Sequence, residues 1–325
     1  MVQNSIKESL EKHNFWKEKP KNIGYLRQNY VDHLEKLLNN KLIKVLTGQR
    51  RVGKSYILKQ FIHRLIEQYK VHPQNILYIN FELIDFEFLQ DKNNFLEMID
   101  FYLKEIKSDN AEKVYLFIDE VQELESWEKV INSFLADDNL NFEIFITGSN
   151  SQLLNSELAT YIAGRYISRT VYPFSYTEYL EYFAYTNTKE HFINYLLFSQ
   201  LPEMYRLIND REIQYSFIEN MKDSILLKDI IQRHDVKNID LLEKLFMFLV
   251  NNIACPFSLN SIAKKFKSEG MSSSTTTLGN YINYLEEIYI IQGIDRFDIK
   301  GKRILEGEKK YYLNDLGFKN YLFSN

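Results

Sequence analysis

The sequence holds one cysteine, no excess of basic residues and no apolar run long enough to cross a bilayer, and each lack closes a class of function. Cys255 alone cannot form an intramolecular disulfide or a cysteine-rich zinc site, and it reads as a small buried hydrophobe. Forty Lys and Arg stand against 44 Asp and Glu, giving a net charge of −4 and a pI near 6.0. No global field therefore draws the chain to nucleic acid or an anionic membrane, and any such binding must come from a local patch. The amino terminus, MVQNSIKESLEKHNFWKEKP, has no apolar segment of signal-peptide length. The most apolar windows, such as LEKLFMFLVNNIA, are too short and interrupted to span a membrane. There is no tandem repeat and no low-complexity run. The expectation is a soluble cytoplasmic protein with no membrane partner.

What is present is apolar material: 45% hydrophobic and 15% aromatic residues in 325, enough to bury a sizeable core across about two domains. Residues 1–41 read as helical and charged, with apolar residues of YVDHLEKLLNN at helical spacing. LIKVLTG reads as a strand, and Ile57, Phe61, Ile62, Leu65 and Ile66 form one stripe of a following helix. NILYINFE is a second strand, and residues 92–107 predict a helix. KVYLFIDEVQEL holds a third strand, apolar on both faces as a buried parallel strand is. SWEKVINSFLAD is helical, and NFEIFITGSNS and RYISRTVYPFS give the fourth and fifth strands. Strands alternating with helices argue for βαβ units and a parallel sheet. Residues 176–250 show only helical segments. From Pro256 the order is a short helix ending at Gly270, a capped helix, and a hairpin turning at Lys300-Gly301, which is the order of a winged helix.

Four elements carry chemistry. Gly48-x4-Gly53-Lys54-Ser55 lies between a strand and a helix, where backbone N–H groups converge on phosphate oxygens. The loop comprises Gly48, Gln49, Arg50, Arg51, Val52, Gly53, Lys54, Ser55 and Tyr56. Lys54 is expected to reach the β- and γ-phosphates of ATP, and the Ser55 hydroxyl to hold Mg²⁺. Asp119 and Glu120 follow a buried apolar strand, where an acid is costly without a cation to meet. Asp119 is expected to hold Mg²⁺ through water and Glu120 to polarise the attacking water. The NILYINF strand intervenes, so the strand of Asp119 does not directly follow the loop's strand, which is the arrangement of NTPases with a catalytic Glu. Thr147, Ser149 and Asn150 end the fourth strand as candidates for sensing the γ-phosphate, although Ser and Asn also serve as caps and turns. Arg165, after Gly164, is a candidate arginine finger, in cis or to a neighbouring subunit, against the alternative of a surface ion pair; Arg169 is a weaker one. Whether Arg50 and Arg51 face protein or DNA stays open.

Together, TGQRRVGKS, LFIDEVQEL, FITGSNSQLL, AGRYISRTVYPFSYTEYL and KKYYLNDLGF resemble the AAA-family ATP-binding proteins of prokaryotes that carry a carboxyl-terminal DUF4143 region. These are AAA+-type proteins distantly similar to the origin-recognition and Cdc6-like initiators. The resemblance spans about residues 10–320. It implies an α/β P-loop NTPase sheet in the order 5-1-4-3-2, a helical lid and a carboxyl-terminal winged helix. The expected domains are 1–175 (with a helical lead-in, 1–41), 176–250 and 251–325. Two departures matter. SQLPEMY stands where the family writes Gly-Gly-x-Pro, and the chain stops at Asn325 where longer members continue into a nuclease-like domain. Nuclease activity is therefore not carried over, and a truncated chain and a natural short form both stay open.

If the winged helix reads DNA, Thr275, Thr276 and Asn280 on its second helix and Lys300, Lys302 and Arg303 on its wing are the contacts expected. From Pro256 to Asn325 ten basic residues face eight acidic ones, a balance of only +2, and such domains also dock proteins. The aromatic stripe Tyr281, Tyr284, Tyr289 reads as core. The leading expectation is a Mg²⁺-dependent ATPase acting as an ATP-driven switch or remodeller, with DNA, a protein or further copies of the chain as partners. The competing one is a nucleotide-binding docking switch with little or no hydrolysis.

Overall fold

The computed structural model describes residues 2–108, 113–151, 162, 164–207, 210–224, 229–231, 233–271, 273–298 and 303–322. The chain folds as two compact units, Met1–Gly48 with Gly53–Val171, and Gln49–Val52 with Tyr172–Asn325. In the first unit, helices α1 (Val2–His13) and α2 (Gln28–Lys36) precede the sheet. The lead-in is thus not continuously helical: residues 14–27, which contain Pro20 and a left-handed Gly24, separate them. The unit continues with β1 (Ile43–Thr47), α3 (Lys54–Glu67), β2 (Ile76–Asn80), α4 (Lys92–Glu105), β3 (Val114–Asp119), α5 (Trp127–Ala136), β4 (Phe142–Gly148) and β5 (Tyr166–Thr170).

The five strands form one parallel sheet in the order β2-β3-β4-β1-β5, the expected order read from the other edge. Alternate residues go to opposite faces. Val45, Leu77, Ile79, Leu116, Ile118, Ile144 and Ile146 pack with α4 and α5 residues such as Phe95, Met98, Tyr102 and Ile131. On the other face Phe117 stacks on Phe145 at 4.5 Å, and Phe61 of α3 tilts over Phe145 at 5.2 Å. Each such fully buried ring contributes about 2–3 kcal/mol. The predicted α3 stripe is the one buried, except that Ile66 is only half-buried. The edge strand β2 is covered by the lead-in. Asn14 accepts from Tyr78 N–H at 2.7 Å and donates to Tyr78 O at 3.1 Å, and Trp16 Nε1 donates to Ile76 O. Side chains thus occupy backbone groups that would otherwise invite another strand.

The second unit is helical from α6 (Tyr176–Phe183) and α7 (Lys189–Leu197) through α8 (Arg211–Ser224) to α9 (Ile239–Asn251). A capping box of Ser175 with Glu178 starts α6. Between α6 and α7 the rings of Tyr176, Tyr179 and Tyr195 pack 5.4–6.2 Å apart. After α9 come β6 (Pro256–Phe257), α10 (Leu259–Ser268), α11 (Thr275–Glu287), β7 (Ile291–Asp298), β8 (Arg303–Leu313) and α12 (Gly317–Leu322). The strands make an antiparallel sheet, β6-β8-β7. The two-residue β6 is too short to leave a periodicity in sequence. The hairpin is as expected, while its Lys300-Gly301 turn lies outside the described residues. Tyr281 is buried as expected, and Tyr284 stacks on His234 at 3.7 Å. Cys255 corrects the sequence reading: it is exposed, in the turn after α9 where Ala254 takes a positive φ of 62°. Among the described residues no helix is long and apolar enough to cross a membrane.

Candidate functional site

The carboxyl ends of β1, β3 and β4 bring the predicted residues together. β1 runs into Gly48, whose φ is 145° and whose missing Cβ would lie 2.2 Å from Val171 O, so no other residue fits. Gly53, at φ 96°, caps α3 in the left-handed region. Lys54, the first helical residue, is 4% exposed and sends Nζ to Gly48 O at 3.0 Å and to Glu120 Oε1 at 3.4 Å. Gln49 and Val52 are buried and Arg51 is exposed. Arg51 takes a positive φ of 67°. Tyr56 turns elsewhere: its ring lies against Gly24, where an added Cβ would come within 3.1 Å.

Asp119 ends β3 fully buried. Thr147 Oγ1 and Tyr78 OH donate to it, the latter at 2.9 Å, and Ser55 hydrogen-bonds it as well. Burial raises its pKa and the neighbouring Glu120 charge adds to this, while the three hydrogen bonds pull the other way. Burial and the same carboxylate push the Tyr78 hydroxyl well above its ordinary value, so it stays a donor. Glu120 has a left-handed backbone (φ 55°, ψ 55°), a strained state for a side-chain-bearing residue. Its N–H donates to Thr147 Oγ1 at 3.0 Å, which holds that turn, and Gln122 Nε2 donates to its Oε2 at 2.5 Å.

Ser149 and Asn150 follow β4, both buried. Ser149 Oγ is enclosed with no hydrogen-bond partner among the described residues. Arg165 is not brought to this cluster. The register pairs Ile43 with Tyr166 and Thr47 with Thr170, so Arg165 stands exposed at the amino end of β5, a strand's length from the loop. Arg169 lies over the Tyr30 ring at 4.8 Å. On α11, Thr276 and Asn280 are exposed and Thr275 is half-buried. Lys300 and Lys302 lie outside the described residues, and of Arg303 only the backbone, at the start of β8, is described.

Two residues escaped the sequence reading. Tyr78 meets Asp119 only because β2 and β3 are neighbours, for which nothing in NILYINFE is a signal. Gln122 carried a faint one, its place two residues beyond Glu120. The residues present fit a magnesium nucleotide. Of two adjacent buried carboxylates one meets the Lys54 ammonium, the enclosed Ser149 hydroxyl has no partner among the described residues, and the loop ends at the amino terminus of α3. Among the described residues no group of three or more His, Cys, Asp or Glu side chains could hold a metal alone.

Residues 40–180 match the AAA domain family, and residues 189–325 match a domain of unknown function, DUF8612, where the resemblance named DUF4143. An uncharacterized protein of Haemophilus influenzae is 31% identical over 300 residues, covering 91% of this chain and 72% of the relative. One of Methanocaldococcus jannaschii is 31% identical over 303 residues, covering 89% of this chain and 64% of the relative. The structure of the Walker-type ATPase of Pyrococcus abyssi superposes with a TM-score of 0.54 at 16% identity, covering 92% of this chain and 95% of that one, a likeness of fold. The chain belongs to the AAA-domain family of AAA+-like P-loop ATPases.

Proposed function

We propose that the chain binds ATP with Mg²⁺ and hydrolyses it by in-line attack of water. The observation that carries this reading is the buried Asp119–Glu120 pair beside the ammonium of Lys54 at the end of the glycine loop. Lys54 exchanges its bond to Gly48 O for β- and γ-phosphate oxygens, and the loop amides with the α3 terminus hold the rest. Ser55 and Asp119 would hold Mg²⁺, which supplies charge neutralisation at the phosphates when bound. Glu120 orients the water and takes its proton, with its carboxylate aimed by Gln122 and its backbone by Thr147. Ser149 and Asn150 lie at the strand end from which a γ-phosphate would be sensed, and the orphaned Ser149 hydroxyl is the one awaiting an acceptor. Arg165 is left a role only toward a neighbouring copy. Phosphate release from Mg·ATP by wild type and Lys54→Ala tests the reading, and a variant that turns over at the wild-type rate sinks it.

A second reading, a nucleotide-binding switch with slow hydrolysis, is favoured by the engagement of both Glu120 oxygens, by Lys54 and Gln122. Tight binding of a fluorescent nucleotide without phosphate release over hours would select it. The order helix, strand, helix, helix, strand, strand over residues 239–313 supports a winged helix there. Helix α11 carries no Lys or Arg, so DNA phosphates would fall to the wing. DNA binding measured against salt tests this, and a flat response argues for a protein partner instead.

A further inference from the structure

The centre of the phosphate loop, Gln49–Val52, belongs to the second unit, and both of its arginines meet carboxylates of that same unit. Arg50 Nε lies 2.9 Å from Asp229 Oδ1 and 2.7 Å from Oδ2, and Asp229 is only 3% exposed. A carboxylate so desolvated is costly unless a cation meets it, so this guanidinium is committed to Asp229. Arg51 sits in the left-handed region, at φ 67°, which a side-chain-bearing residue keeps only when its surroundings hold it there. Glu203 Oε2 meets its Nη1 at 2.7 Å, and its guanidinium lies 4.9 Å over the Phe217 ring. The segment just before Glu203 is tied to one further along the chain. Ser199 Oγ donates to Asp315 Oδ2 at 2.5 Å, Gln200 N–H to Asp315 Oδ1 at 3.1 Å, and Leu316 N–H to Gln200 Oε1 at 3.0 Å. SQLPEMY and NDLG, the departure and the motif left without a role by the chemistry, are thus hydrogen-bonded to each other.

Arginines in a phosphate loop are ordinarily read as offering charge to phosphate. Here their charges are already met, and what they set is the shape of the backbone between Gly48 and Gly53. We infer that Asp229 is a positioning residue for the phosphate loop, with Glu203 as its weaker companion. Together they hold the Gln49–Val52 amides in the arrangement that receives a nucleotide's phosphates. The segment matched as a domain of unknown function supplies both carboxylates. The inference rests on the nucleotide-binding reading above.

The test uses the full chain and a fluorescent ATP analogue with Mg²⁺, read by anisotropy, with hydrogen exchange of amides 50–53 in the nucleotide-free protein as a second readout. Asp229→Asn is expected to raise the dissociation constant roughly tenfold, the scale of losing a hydrogen-bonded charge partner. Exchange of the loop amides should rise, while kcat at saturating ATP stays within about twofold. Asp229→Glu should recover most of the affinity. Glu203→Gln should cost less than about twofold, because that pair is half exposed. Arg50→Lys, which keeps the charge and loses the planar guanidinium, should fall between. Wild-type affinity and exchange in Asp229→Asn overturn the inference, as does a fall in kcat at unchanged affinity. A loss in Asp229→Asn that neither Asp229→Glu nor Arg50→Lys moderates marks a merely structural aspartate and overturns it too. A wild type that binds no nucleotide removes the ATP-binding reading, and the inference falls with it.

Discussion

The two ends of the parallel sheet each bury a polar cluster, and they are built on opposite plans. At the amino end Lys44 of β1 pairs with Glu143 of β4, both almost without solvent contact. Lys113 Nζ adds a second cation at 2.9 Å, and Asn39 N–H donates to the same carboxylate at 3.2 Å. Burial lowers the Lys44 pKa, and the bond and charge of Glu143 oppose that shift. Every charge there has a partner of opposite sign. At the carboxyl end two adjacent carboxylates are buried with Lys54 on one of them, Glu120 sits on a strained backbone, and Ser149 Oγ is enclosed without a partner among the described residues. One sheet therefore carries a closed network, in which cations match the carboxylate, and an open one, in which two carboxylates share one close ammonium. A closed network is a structural device, while an open one is costly unless a ligand completes it.

The sharpest way to break this contrast is to remove charge at each end in turn. Glu120→Gln at the open end should cut phosphate release by about 100-fold or more, with ATP still bound, seen as retained labelled nucleotide after rapid filtration. Unchanged turnover would mean that Glu120 is not the base and would favour the slow-switch reading. At the closed end, Lys44→Met should cost about 3 kcal/mol of unfolding free energy, at the low end for a broken buried pair because Lys113 still meets Glu143. ATP affinity should not move. Denaturant titration checks the first and anisotropy the second. The double change Lys44→Met with Glu143→Leu should recover most of the stability, since the pair goes as a unit.

Legibility in the sequence divides along the same line. The loop, Asp119-Glu120 and the polar end of β4 were readable because each sits within a few residues of an apolar run that marks a buried strand. The α3 stripe and the five strands were readable for the same local reason. What needed pairing across the chain was not. Lys44 and Glu143 are 99 residues apart, and Arg50 and Asp229 are 179 apart, so nothing in QRRVG names their partners. Arg165 looked like a finger from its glycine and its strand, and only the β1–β5 register sets it at the far end from the loop. Cys255 followed the statistics of its residue type, which a tight turn overrode.

A smaller effect sharpens the open end. Tyr78→Phe removes one of the donors on Asp119 without adding bulk. The carboxylate, already raised by burial, should rise further, because the bond that favoured its charged form is gone. The Mg²⁺ concentration for half-maximal nucleotide binding should rise about three- to tenfold, in line with a lost bond to a charged group. The change should be largest at acid pH, where protonated Asp119 cannot meet a cation. An unaltered Mg²⁺ requirement between pH 6 and 8 would remove Asp119 from the metal site.

The smallest effect concerns histidines away from both clusters. His33 on α2 has its pKa lowered, first by burial and then by the charges of Arg169 and Lys36. His234 is also lowered by burial, but Glu287, whose Oε2 lies 3.2 Å from its Nε2, raises it again against Arg233. A base whose folded pKa lies below its unfolded value of about 6.5 binds protons more readily unfolded. Stability is then fully present above pH 6.5 and is lost as pH falls toward the folded value. Denaturant midpoints should therefore drop from pH 7.5 to 6.0, a window above the ordinary carboxylate range. His33→Gln should flatten that drop more than His234→Gln, because no carboxylate offsets the first shift while one offsets the second. Equal flattening by the two variants would mean that the Glu287 pairing does not persist in solution.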